Sequence, residues 1–153
     1  MPVGEVCNRE VVVVEPEADA AEASRLMREF HVGDLVVVER RAEGNIPLGI
    51  ITDRDLVMEV LAQGVNPGSV AMKDLMGQPL ETAKEDDAIL DTLQRMRELG
   101  IRRLPVVNDS GTLEGILTMD DVLDLLAEEL MDMVALGTRE QQKEKQPQGS
   151  AGR

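Results

Sequence analysis

Two short stretches carry residue types that could hold a small anionic or hydroxylated ligand. The first is Gly49-Ile50-Ile51-Thr52-Asp53-Arg54-Asp55, the second Gly115-Ile116-Leu117-Thr118-Met119-Asp120-Asp121. Each reads as glycine, apolar residues, then Thr-x-x-Asp, and each leads into an apolar run, Leu56 to Leu61 and Val122 to Leu130. An apolar run, a polar break and an amphipathic run predict a buried strand feeding a helix. At such a junction backbone N–H groups and the positive end of the helix dipole face outward, a seat for an anion such as phosphate. The same pattern is also a capping signature, with Thr as N-cap and an acid in the first turn, and the two roles can coexist.

The elements that must position these residues follow from hydrophobic spacing. Val11 to Val14 is a β-branched run and predicts a strand. From Ala18, the residues Ala20, Ala23, Leu26, Met27 and Phe30 fall on one helical face, and His31 to Asp34 ends that helix. Leu35 to Val38 is the next strand, Glu39 to Asn45 a polar loop, and Leu48 to Ile51 the strand that delivers Thr52. The helix after it ends near Gly64, and Val65 to Gly68 is a turn by composition. The series then restarts: lead-in Val70 to Met76, extended Leu80 to Ala83, helix Ala88 to Leu99, strand Ile101 to Val107, turn Asn108 to Gly111, strand Gly115 to Leu117, helix Met119 to about Leu136. The polar segment 137–153 is predicted to be a disordered tail.

The restart is a repeat in register. Cys7 matches Met76, Met27 matches Met96, Leu35 matches Leu104 and Val37 matches Val106, all at an offset of 69. Gly49 and Gly115, Thr52 and Thr118, and Asp55 and Asp121 match at 66, so three residues are extra in the first copy between Glu39 and Leu48. Each unit is too small to bury its own helical faces. The prediction is an α/β (α+β) fold in which two βαββα repeats, 1–66 and 67–136, pack with pseudo-twofold symmetry.

Composition excludes several function classes. The net charge of −14 would repel a nucleic-acid backbone, and with no Trp or Tyr and one Phe there are no stacking platforms for bases. The single cysteine, Cys7, allows no internal disulfide and predicts a reducing, cytoplasmic setting. Met1 to Glu5 lacks the character of a signal peptide, and no run reaches membrane-spanning length. One His and one Cys supply no conventional nucleophile–base pair, and no cluster has metal-ligand spacing, so the chain reads as a non-enzyme without a metal or catalytic cofactor.

The doubled Gly-h-h-Thr-x-x-Asp, each copy within a βαββα unit, resembles a tandem pair of CBS domains, or Bateman module. Ile101-Arg102-Arg103-Leu104-Pro105-Val106-Val107 resembles the family's basic–x–Pro-Val-Val strand, and Lys73-Asp74-Leu75-Met76 and Thr82 also fit. The resemblance spans roughly residues 3–130. It implies a stand-alone regulatory module that binds adenosine compounds (AMP, ADP, ATP, S-adenosylmethionine or NAD-type ligands) in clefts between the repeats. Carried onto this chain, Asp55 and Asp121 would hold ribose hydroxyls, and Thr52 and Thr118 the first phosphate. An ionised carboxylate suits a cis-diol because it accepts from both hydroxyls. With no aromatic ring at hand, adenine would lie against aliphatic groups: Val12, Val13, Ile50, its counterpart Ile116, and Pro105.

The copies differ in charge. Gly33-Asp34 stands in the first where Arg102-Arg103 stands in the second, and Arg54 stands where the second has Asp120. Arg54, Arg102 and Arg103 are the candidate phosphate partners; one cleft is expected to bind better than the other, with mono- or diphosphates, or a ligand of low charge, favoured over bare triphosphate. The last helix carries surplus apolar residues, including Leu126, Leu130 and Met133. With the family's habit of pairing, these predict a homodimer, with a regulated protein as a further possible partner. The competing reading is a scaffold that dimerises and docks a partner without any small ligand.

Overall fold

A computed structural model describes residues 1–76 and 80–145. The chain divides into two compact units, Met1–Thr118 and Met119–Arg153. Among the described residues no helix is long and apolar enough to cross a membrane.

The first unit holds two three-stranded sheets of the same design. In one, β1 (Val13–Val14) lies parallel to β2 (Asp34–Arg41), which pairs antiparallel with β3 (Gly44–Thr52). In the other, β4 (Ala83–Lys84) lies parallel to β5 (Arg103–Val107), which pairs antiparallel with β6 (Leu113–Thr118). Strand β2 shows why its apolar run does not alternate. Leu35 and Val37 join the cluster that contains Ala23 and Met27 of α2 (Ala20–Phe30), while Val36 and Val38 pack with Ile116 of β6. Both faces are covered, so all four residues are fully buried. Phe30, expected on the apolar face of α2, is exposed instead.

The polar stretch Glu39 to Asn45 is not a loop. The strands continue as a ladder, Glu39 opposite Ile46 and Arg41 opposite Gly44, after a bulge at Val37/Val38. The extra residues of the first copy therefore lengthen an antiparallel arm. An exposed arm tolerates polar side chains because the ladder satisfies its backbone.

Each repeat lends its lead-in to the other. Helix α1 (Val3–Val6) sits on the second repeat, with Val3 N–H donating to the Asp87 carbonyl (2.8 Å) and Gly4 N–H to that of Glu85 (2.9 Å). Asn8 and Ile116 exchange two backbone bonds of 2.9 Å. In the mirror arrangement α4 (Met72–Leu75) sits on the first repeat: Met72 N–H donates to Ala18 and Lys73 N–H to Pro16, both at 2.9 Å. The motif glycines exist for this exchange. A Cβ on Gly49 would lie 2.7 Å from Met76 Sδ, and one on Gly115 would lie 2.7 Å from the Asn8 carbonyl oxygen and 2.8 Å from Cys7 Sγ. Cys7 is buried in that contact, a packing residue like its match Met76.

After Thr52, one α-turn, α3 (Asp53–Leu56), passes into a π-turn at Val57–Leu61. Helix α5 (Ile89–Leu99) covers the second repeat through Ile89, Thr92 and Met96. The second unit is α6 (Met119–Lys145). It does not end near Leu136, and residues 138–145 are helical rather than disordered. Arg139 to Lys145 are good helix formers that carry the helix past Gly137. The rest of the predicted tail, 146–153, lies outside the described residues.

Candidate functional site

Strand β3 ends at Thr52, and the turn that follows is closed by its own side chains. Asp55 N–H donates to Thr52 Oγ1 (3.2 Å), and Thr52 N–H donates to Asp55 Oδ2 (2.9 Å), a complete capping box. Asp53 N–H donates to the Gly33 carbonyl (2.9 Å) and Arg54 N–H to Asp53 Oδ1 (2.8 Å). The first-turn donors that the sequence offered to an anion are thus taken by oxygens of the protein. The seat is present as backbone geometry but filled by Gly33, Thr52 and Asp53. Among the described residues, Asp55 keeps Oδ1 without a hydrogen bond.

Thr52 and Asp55 border a cleft of about 750 Å³ within the first unit. Gly49 and Ile50 form its β3 wall, and Glu59 reaches it from the π-turn. Asp74, Leu75 and Met76 face it from the exchanged lead-in, Leu80 and Glu81 from the segment before β4, and Gly100 to Arg103 from the segment leading into β5. The volume suits a nucleoside-sized ligand. The cleft brings together Ile50, Thr52, Asp55, Arg102 and Arg103 from the sequence-derived set, residues drawn from both repeats.

Other candidates stand elsewhere. Val12 packs against the α2-side core and Val13 against the Val36–Val38–Ile116 cluster. Ile116 is only 4% exposed within that cluster, and Pro105 is fully buried. Ile116 and its strand partner Pro105 are core, whereas Val12 and Val13 are half-buried, as is Ile50, which packs on the same cluster while bordering the cleft. Arg54 is exposed on α3. Thr118 closes the first unit and Asp121 belongs to the second.

Arg103 is already engaged. Its Nε donates to Asp34 Oδ2 at 2.8 Å, with the two side chains 31% and 23% exposed. The pair is 69 residues apart, the repeat offset, so two equivalent positions meet and join the starts of β2 and β5.

Pro105 contributes by what it lacks. In the first copy Val36 N–H donates to the Val12 carbonyl at 3.1 Å. Pro105 stands 69 residues after Val36, and has no N–H to give. Its strand partner Ile116 turns both backbone groups toward Asn8, so the proline breaks no bond between β5 and β6. The residue 69 after Val12 is Glu81, a cleft residue, and no hydrogen bond reaches its carbonyl among the described residues.

Sequence reasoning missed Glu59, Asp74 and Glu81 as cleft residues. They sit on three successive segments, the π-turn, the exchanged lead-in and the stretch before β4, and no spacing rule joins them. Met76 and Leu75 could have been found, since the lead-in matches Cys7 and each lead-in must cross a motif glycine. Among the described residues no group of three His, Cys, Asp or Glu side chains could hold a metal ion.

Comparison with known proteins agrees with this architecture. The CBS domain family model matches twice, over residues 3–62 and 72–128. An uncharacterized protein of Methanopyrus kandleri is 45% identical over 123 residues, which are 80% of this chain and 61% of the relative. This chain thus spans less than two thirds of that relative's length. The CBS domain-containing protein YhcV of Bacillus subtilis is 32% identical over 120 residues, 78% of this chain and 81% of the relative. Among solved structures, the CBS domain pair of protein MJ0100, in complex with 5′-methylthioadenosine and S-adenosyl-L-methionine, shares the fold. It aligns with a TM-score of 0.72 over 84% of this chain and 98% of that one, at 23% identity. Two matched repeats, the exchanged lead-ins and the shared cleft lead to one conclusion: the chain belongs to the CBS domain family, as a tandem pair.

Proposed function

We propose that the chain is a regulatory module that binds an adenosine-type ligand in the cleft bordered by Thr52 and Asp55. One observation carries this reading. Residues of both repeats, singled out by the repeated motif and the basic strand, converge on one cleft of nucleoside size. In this reading adenine lies between Ile50 and the apolar lead-in residues Leu75 and Met76, and its exocyclic amine donates to the Glu81 carbonyl. Asp55 Oδ1 accepts from the ribose hydroxyls while Oδ2 keeps the cap. AMP, ADP, ATP, NAD and S-adenosylmethionine form the panel of ligands to try. Thr118 and Asp121 are the corresponding proposal for the second copy. Regulation requires the ligand to bind two arrangements of the protein, or of a partner, with different affinities. The module itself is proposed to catalyse no reaction.

The test is calorimetric titration with the panel, on the parent protein and on Asp55→Asn. An Asn Oδ1 can still cap Thr52 N–H, so the variant should keep its melting temperature and lose affinity about tenfold or more. Equal affinity in the variant would remove Asp55 from the site. No binding across the panel would leave the ligand-free scaffold.

The scaffold reading has its own support in α6. Leu123, Leu126, Leu130 and Met133 are all more than half exposed, and their spacing of three, four and three is that of a two-helix seam. The occupant we propose is a second copy laid antiparallel. The charged residues of the first half of α6 are all acids, Asp120, Asp121, Asp124, Glu128, Glu129 and Asp132, whereas the second half carries Arg139, Lys143 and Lys145 beside Glu140 and Glu144. An antiparallel pair therefore sets opposite charges side by side. Burying each such side chain stabilises by roughly 1.5–3 kcal/mol. A monomer by light scattering would remove this claim without touching the ligand site.

A further inference from the structure

The cleft carries an electrostatic signature that bears on which adenosine compound it takes. Four acidic residues line it, Asp55 and the exposed Glu59, Asp74 and Glu81, against two basic ones, Arg102 and Arg103. The Arg103 guanidinium is bonded to Asp34. The backbone donors that would hold a phosphate are closed by Gly33, Thr52 and Asp53. A 5′-phosphate would therefore have to displace a protein oxygen from each backbone donor it used. It would do so in a field of net negative charge, which is felt most at low salt. A 5′ substituent without negative charge meets neither obstacle, and a cationic one gains from the surplus carboxylates.

We propose that this cleft selects by charge: it takes adenosine compounds whose 5′ substituent is neutral or cationic, such as a thioether or a sulfonium, and discriminates against 5′-phosphates. The proposal rests on the adenosine reading above, and it adds a rank order that the reading alone does not contain. Asp55 is the shared element, needed for the ribose whatever the tail. Glu59 and Asp74 are the specificity residues. They sit on separate elements, the π-turn and the exchanged lead-in.

The test uses the whole chain and five ligands: 5′-methylthioadenosine (neutral), S-adenosylmethionine (net cationic), AMP, ADP and ATP. ATP is run with and without magnesium. The expected order is S-adenosylmethionine and 5′-methylthioadenosine first, then AMP, ADP and magnesium-free ATP, with about tenfold or more between the first pair and ATP at low salt. The gap should shrink as salt is added. In Glu59→Gln/Asp74→Asn, checked for folding by its melting curve, the gap between 5′-methylthioadenosine and ATP should narrow by roughly tenfold. ADP or ATP binding as tightly as 5′-methylthioadenosine would overturn the charge selection and leave the adenosine reading standing. A gap that is unchanged in the double variant would overturn the lining acids as its cause. No binding by any of the five would overturn the adenosine reading, and this one with it.

Discussion

The two copies of the repeat begin from the same pattern and end with different duties. In the first, the helix after Thr52 makes one α-turn, loosens into a π-turn and stops before Gly64, whose φ is 67°. In the second, the helix after Thr118 runs unbroken to Lys145. The first copy spends its motif on the wall of a cleft, and π-turns inside helices often mark such sites. The second spends it on launching a long helix with an exposed apolar seam. A repeated motif is therefore evidence for a repeated turn, and the elements around each copy decide what the turn is for.

The comparison can be broken most severely at the motif glycines. Gly115→Ala sets a methyl group against the Asn8 backbone, whereas Gly49→Ala meets the side chain of Met76. We expect Gly115→Ala to cost about 2–3 kcal/mol by chemical denaturation, and Gly49→Ala about half of that, because a methionine can swing aside and a paired carbonyl cannot. Equal losses would mean that the two lead-ins are held alike.

A second break is in assembly. Leu126→Glu/Leu130→Glu should convert the proposed dimer to a monomer by light scattering and leave ligand affinity within about twofold. A dimer that survives would place the interface elsewhere.

The third prediction addresses charge. Asp34→Asn keeps the size of its partner to Arg103 but removes its charge. AMP should bind about threefold more tightly, and stability should fall by roughly 0.5–1 kcal/mol. Unchanged AMP affinity would remove Arg103 from the ligand's reach.

The smallest effect is at the helix ends. His31 closes α2 with φ 53°, and its match Gly100 closes α5 with φ 68°. His31→Gly should stabilise by a few tenths of a kcal/mol, and Gly100→His should destabilise by about 1 kcal/mol. Opposite signs in thermal melts would confirm that the repeats differ in strain at this point.

These contrasts also show what could be read from the sequence. The offset of 69, the order of elements and the motif glycines were legible because hydrophobic period and punctuation survive duplication. Thr52, Asp55, Arg102 and Arg103 were each singled out by motif, but that they border one cleft was not legible. The exchange of lead-ins was not legible. Periodicity gives the order of segments but not which neighbour each one covers. The filled donors at Asp53 and Arg54 were hidden for a similar reason, since the Gly33 carbonyl that closes one of them comes from another turn. The burial of Pro105 was not legible, because a buried strand residue and one at a cleft wall look alike in sequence. The long arm over Glu39 to Asn45 looked like a loop because its backbone pairing is invisible in its polar side chains.

The exchanged lead-ins have a consequence for how such a chain could arise. The unit of repetition runs from one lead-in to the next motif helix, but the unit of folding borrows its lead-in from the neighbouring repeat. The two are out of phase. A single repeat produced as a separate chain would leave the groove over its motif glycine bare and carry a lead-in with nowhere of its own to lie. Two such chains could satisfy each other only by crossing arms. An ancestor with one copy would have lived as a pair of molecules, and the duplication seen here would have tied together a partnership that already existed.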